Sequence, residues 1–112
     1  MPFRPADALL PLTPLDFELL LALADEERHG YGIMQDVARQ TNDALQLGPG
    51  TLYGCLKRML AAGLVEECDE RRRYYRMTAL GRTTVRAEAS RLASAVEAAR
   101  SRRVFSNGKA SS

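Results

Sequence analysis

Apolar residues recur along the chain with helical spacing in three stretches, and the points where that spacing breaks predict the first elements. Leu15, Leu19, Ala22 and Leu23 form a helical stripe that Phe17, Leu20 and Leu21 widen, which predicts a first helix buried on most sides. Thr13-Pro14-Leu15-Asp16 suits its start: a hydroxyl at the N-cap, proline at the first helical position and an acid in the first turn. Asp25-Glu26-Glu27-Arg28 reads as a polar turn. His29-Gly30-Tyr31-Gly32 then opens a second helix, with Ile33, Met34, Val37 and Ala38 as its stripe and Thr41-Asn42-Asp43 as its end. Gly48-Pro49-Gly50 breaks the chain before a third helix, Thr51 to Ala62, closed by Gly63. Its inward stripe is Leu52, Leu56, Met59 and Leu60. The opposite side carries Tyr53, Gly54, Lys57, Arg58 and Ala61 and no acid.

Beyond Gly63 the pattern changes. Leu64 to Cys68 and Arg72 to Met77 read as two strands of a hairpin with Asp69-Glu70-Arg71 as its turn; Tyr75 and Met77 share one face and Tyr74 takes the other. Thr78 can cap a fourth helix reaching about Val104. On that helix Val85, Ala89, Leu92, Val96 and Ala99 repeat at alternating spacings of four and three, flanked by Glu88, Arg91 and Glu97. A narrow seam with small Ala positions suits close approach by a second helix, so this stretch is read as a dimer interface. Three helices, a hairpin and a long helix predict a mainly α fold with a small β-hairpin, a winged helix-turn-helix over 13–78. A C-terminal dimerisation helix follows at 79–105, an extended Pro-rich arm precedes at 1–12, and 106–112 has the composition of a disordered tail.

Composition narrows the function classes. At 112 residues the chain holds one domain. Such a domain buries about two-thirds of its unfolded surface, which leaves little for a deep enzyme pocket beside a core. The longest apolar run, Leu19 to Ala24, is far short of a membrane span. Residues 1–12 do not read as a secretory signal, so a cytoplasmic protein is expected. The net charge of +2 hides an asymmetry: residues 1–48 carry −5 and residues 49–112 carry +7. Fourteen of the sixteen cations are arginine, suited to bidentate phosphate and base contacts. A polyanion partner is one reading of this, and an acidic half facing a basic half within one fold is the other.

The candidate chemistry points the same way. A lone histidine, His29, without a nucleophile–base pair leaves no catalytic constellation, and it is read as a turn residue setting the second helix. Cys55 and Cys68 have neither disulfide nor zinc spacing, and the acids beside Cys68 disfavour its thiolate, so both are read as inert and no metal or cofactor is expected. Gly48-Pro49-Gly50 lacks the Lys-Ser/Thr ending of a phosphate loop and is read as turn chemistry. The remaining candidate is a nucleic-acid face. Gly50, Thr51, Tyr53, Gly54, Lys57 and Arg58 on the third helix would contact double-stranded DNA, with Arg71, Arg72 and Arg73 of the hairpin as a phosphate clamp. The ordinary alternatives are a solvated helix face and local ion pairs with Glu66, Glu67, Asp69 and Glu70. A winged-helix module that binds protein or ligand without specific DNA binding is the competing function.

Four fragments, in order, carry a family likeness: His29-Gly30-Tyr31-Gly32-Ile33-Met34, Gly48-Pro49-Gly50-Thr51-Leu52-Tyr53, Leu56-Lys57-Arg58 to Gly63-Leu64-Val65, and Arg73-Tyr74-Tyr75-Arg76-Met77-Thr78 with Gly81. Over about residues 12–103 the chain resembles the PadR family of bacterial transcriptional regulators, in its short form with a single C-terminal helix. The resemblance implies a homodimeric repressor on a two-fold operator, and a small aromatic or drug-like effector for which the dimer interface is the candidate place. The chain departs from the family at Gly54, where many members have Pro, and at Leu60, where many have Glu.

Overall fold

Side-chain caps start three of the four helices in the computed structural model, which describes residues 10–69, 71 and 73–105. Helix α1, Pro14–Ala22, begins where Thr13 Oγ1 accepts the Asp16 N–H at 3.0 Å. Helix α2, Gly30–Gln40, is capped by an imidazole: His29 Nδ1 accepts the Gly32 N–H at 3.2 Å. Helix α4, Ala79–Ser101, starts from Thr78, whose hydroxyl accepts the Gly81 N–H at 3.0 Å. Helix α3, Pro49–Ala62, has only Gly48 at its N-cap and ends at Gly63 in the left-handed conformation, φ 79°. Two boundaries differ from expectation. α3 starts at Pro49 rather than Thr51, because proline's fixed φ already suits a first helical turn. α4 ends at Ser101, and residues 102–105 form turns.

The hairpin is β2, Val65–Asp69, and β3, Tyr74–Met77, paired Val65 to Met77 and Glu66 to Arg76. Asp69 pairs with Tyr74, so Asp69 lies in the strand rather than in the turn, and the register slips between Glu67 and Asp69. A third strand, β1, Arg28–His29, pairs with β3 and gives the antiparallel order β1-β3-β2. The sequence reading places Arg28 in a turn and His29 at a helix start. A two-residue polar strand carries no periodicity, and only its pairing with Tyr74 and Tyr75 reveals it. Arg28 also reaches back, its Nε donating to the Ala22 carbonyl at 2.7 Å, while Arg82 donates to Ala24 at 2.9 Å. One guanidinium thus occupies the last carbonyl of α1 and the other a carbonyl in the turn that follows it.

Leu19, Leu20, Ile33, Val37, Leu52, Leu56 and Met59 are the centre of the core. Two predicted stripe members lie at its edge: Leu21 is 36% and Leu60 38% exposed. Cys55, three residues from Leu52 and four from Met59, takes the inward position instead. Val85, assigned from sequence to the dimer seam, is buried in this same core, as are Thr84 and Glu88. The first half of α4 is therefore a wall of the winged-helix core, and packing does not stop at residue 78. Close apposition explains this: a Cβ at Gly81 would collide with the Leu64 carbonyl oxygen and stand 2.8 Å from Met77 Cγ. Thr78 locks the junction, donating its hydroxyl to Gly63 O at 2.6 Å and its N–H to Leu64 O at 3.0 Å.

Candidate nucleic-acid interface

The outward side of α3 presents Gly50, Thr51, Tyr53, Gly54 and Lys57, all exposed. Its first turn has no acid, and Gly48 supplies no side-chain cap. The N–H groups and positive dipole end of α3 are left for an outside acceptor, whereas Thr13, His29 and Thr78 satisfy the other three starts. Gly50 and Gly54 add reach: a Cβ at either would meet nothing within 4 Å, so the helix backbone there lies open to a large partner. Lys57 forms no ion pair among the described residues.

Arg58, placed by the sequence reading on this face, is drawn toward α1. Its Nη1 lies 3.3 Å from Asp16 Oδ2, and its Nη2 lies 3.5 Å from Asp16 Oδ1 and 3.2 Å from Cys55 Sγ. Its side chain stays 62% exposed, so the pair is a surface tie between helices rather than a buried one. No linear signal foretells a pairing across 42 positions. Burial, and then the charge of Asp16, pushes the Cys55 thiol above its ordinary range, which keeps it protonated.

In the hairpin, Arg76 Nε meets Glu66 Oε2 at 2.6 Å across the strands, the local pairing that is the ordinary reading of such charges. Arg71 and Arg73 are exposed. Arg73 has a left-handed backbone, φ 56°. Arg72 lies outside the described residues, as do 1–9 of the predicted arm and the predicted tail. Tyr75 is buried, whereas Tyr74 faces His29 edge to face at 5.5 Å, so the two tyrosines part as their alternation requires. The Cys68 thiol is raised by burial first and then by Glu27, a carboxylate from before β1.

The C-terminal helix divides into two parts. Glu88, expected to flank a seam, is buried with its side chain 2% exposed. Arg91 holds it with two bonds of 2.8 and 2.7 Å. Those hydrogen bonds keep its carboxyl below the usual range against the opposing effect of burial. Of the remaining seam, Ala89 and Val96 are exposed, and Leu92 and Ala99 are half-buried. The basic charge of residues 49–112 is also spread out: Arg82 donates to the Ala24 carbonyl, Arg91 holds Glu88, and Arg100 lies 3.6 Å from Glu97. It is not one patch. Among the described residues no His, Cys, Asp and Glu cluster could hold a metal, and no helix is long and apolar enough to cross a membrane.

Comparison with known proteins agrees with this architecture. Residues 19–87 match the transcriptional regulator PadR-like family. A transcriptional regulator from Clostridium thermocellum superposes with a TM-score of 0.66 at 22% identity, over 78% of this chain and 87% of that one. The hsRosR-S4 protein, in its complex structure, gives 0.69 at 26% identity, over 81% of this chain and 79% of that one. An uncharacterized protein X of Lysinibacillus sphaericus is 31% identical over 74 residues, 61% of this chain and 68% of its own length. An uncharacterized 37.1 kDa protein in transposon TN4556 of Streptomyces fradiae is 40% identical over 77 residues; these are 67% of this chain but only 22% of that protein.

Proposed function

This chain belongs to the PadR-like family of transcriptional regulators, and from that premise we propose that it binds double-stranded DNA sequence-specifically as a homodimeric repressor. The observation that supports this most is the α3 face: an uncapped, acid-free N-terminus beside exposed Gly50, Thr51, Tyr53, Gly54 and Lys57. In this reading α3 enters the major groove and its N-terminal amides meet phosphate. Arg71 and Arg73 hold the backbone from the wing, and Arg72 belongs to the same proposal. Arg58 serves the interface through α1, by setting the angle of α3.

A single winged-helix module buries too little surface for tight operator binding, so two copies on a two-fold site are required. The open part of the α4 seam, Ala89, Leu92, Val96 and Ala99, supplies the second-copy contact in this proposal. Val85 is left to the core. Occupancy of an operator overlapping a promoter would exclude polymerase, and a small effector would act at the dimer interface of this cytoplasmic protein. The test is a gel shift against DNA upstream of the chain's own coding sequence, at stated salt. A discrete shift that unrelated duplex does not compete away is expected. Competition by any duplex at equal concentration would favour a protein- or ligand-binding module instead.

A further inference from the structure

Two glycines flank Tyr31, and space demands only one of them. A Cβ at Gly32 would find Arg28 Cβ at 3.7 Å and the His29 ring at 3.8 Å, ordinary van der Waals contacts. A Cβ at Gly30 would collide with the Tyr53 hydroxyl oxygen and stand 3.0 Å from Tyr53 Cζ and 3.1 Å from Leu52 Cδ2. Backbone conformation does not call for this glycine: among the described glycines only Gly63 has positive φ. Gly30 is buried at the start of α2, yet the ring that covers it belongs to a residue 43% exposed. The hydroxyl end of Tyr53 is thus seated against Gly30, while the residue as a whole stays half-exposed. An exposed helical tyrosine would otherwise be free to change rotamer, at an entropic cost whenever a ligand fixed it.

We propose that Gly30 is the positioning residue for Tyr53: its missing side chain lets the phenol lie against the first turn of α2, which presets the hydroxyl to donate to a phosphate of bound DNA. This rests on the DNA-binding reading above. Tyr53 also stands close enough to Tyr75 to influence its phenol, behind the larger effects of burial, Glu67 and Arg73.

The experiment is a double-mutant cycle on the full chain, reading melting temperature and operator affinity together, with Gly32→Ala as control. Gly32→Ala is expected to bind as the wild type does. Tyr53→Phe should keep its melting temperature and lose about tenfold in affinity, the scale of one hydrogen bond to a charged group. Gly30→Ala should lose at least as much affinity and also melt earlier. Removing the hydroxyl relieves the worst of the clash, so Gly30→Ala/Tyr53→Phe should recover melting temperature while binding no better than Tyr53→Phe. A merely structural glycine would leave affinity unchanged when binding is read well below the Gly30→Ala melting temperature, and wild-type binding by Gly30→Ala under those conditions overturns the proposal. If Gly30→Ala alone does not fold, the wild type still decides. Nuclear Overhauser contacts between the Tyr53 ring and the Gly30 Hα protons must be present in the free wild type, and their absence is equally fatal. A wild type that shifts no duplex sinks the DNA-binding reading itself, an outcome distinct from a wild type that binds and a Gly30→Ala variant that binds equally.

Discussion

At Gly81 a methyl group has no room, because the Leu64 carbonyl oxygen and Met77 Cγ already fill the space. At Gly54 it has open space on every side. Opposite outcomes follow. Gly81→Ala should push α4 off the sheet and destabilise by roughly 1–3 kcal/mol, seen as a lowered midpoint in urea. Gly54→Ala should stabilise by up to about 1 kcal/mol through helix propensity, while weakening DNA binding if the groove approaches the α3 backbone there. Lys57 and Arg58 form a second contrast. Lys57→Ala should weaken binding and reduce its salt dependence with the melting temperature unchanged. Arg58→Ala breaks an exposed tie to Asp16, so its direct cost to stability should be about 1 kcal/mol or less. In the proposed interface its effect on binding should come through the angle between α1 and α3, and Asp16→Asn should reproduce it.

Helix α4 is a wall of the core in its first half and, in the proposed dimer, the contact between copies in its second, and two perturbations can separate these. In its first half, Arg91 holds the Glu88 carboxyl below its usual range. A folded-state pKa below the unfolded value of about 4.3 contributes stability that is fully present above that value. That contribution is lost as pH falls through the folded pKa. Glu88→Gln should therefore be less stable at neutral pH and show a shallower acid limb, measured by urea melts from pH 7 downwards. In its second half, Leu92→Glu would place a charge from each copy in a desolvated seam. Light scattering should report a monomer that keeps its helical circular dichroism and no longer shifts the operator. A tight dimer at micromolar concentration would refute the α4 interface.

For the whole molecule, charge bears on affinity and packing on architecture. The cations of the second half are dispersed, many of them answering acids or helix ends within the chain. Phosphate contact in this proposal falls to the α3 amides, Lys57 and the wing arginines, from each copy. If a dimer neutralises about six phosphates, log K against log salt should slope near −5, measured by fluorescence anisotropy on labelled operator. A flat response between low and physiological salt would remove the phosphate contacts from the model of binding.

The sequence by itself determined the elements whose cause is local. Thr13, Thr78 and Gly63 are caps and stops that act within one turn, and the stripes around Leu19, Ile33, Leu56 and Tyr75 predict burial because helix and strand periods are properties of the backbone. The acid-free face of α3 was legible for the same reason. What the tertiary structure alone decided depends on residues distant in the chain. β1 exists only through pairing with β3, Arg58 turns to Asp16, burial and then Glu27 raise the Cys68 thiol, and Val85 of the seam and its flanking Glu88 are buried where Gly81 lets α4 press against Leu64 and β3. A periodic stripe shows which side of a helix is buried but not what covers it. Only the folded chain brings Gly30 beneath the ring of Tyr53.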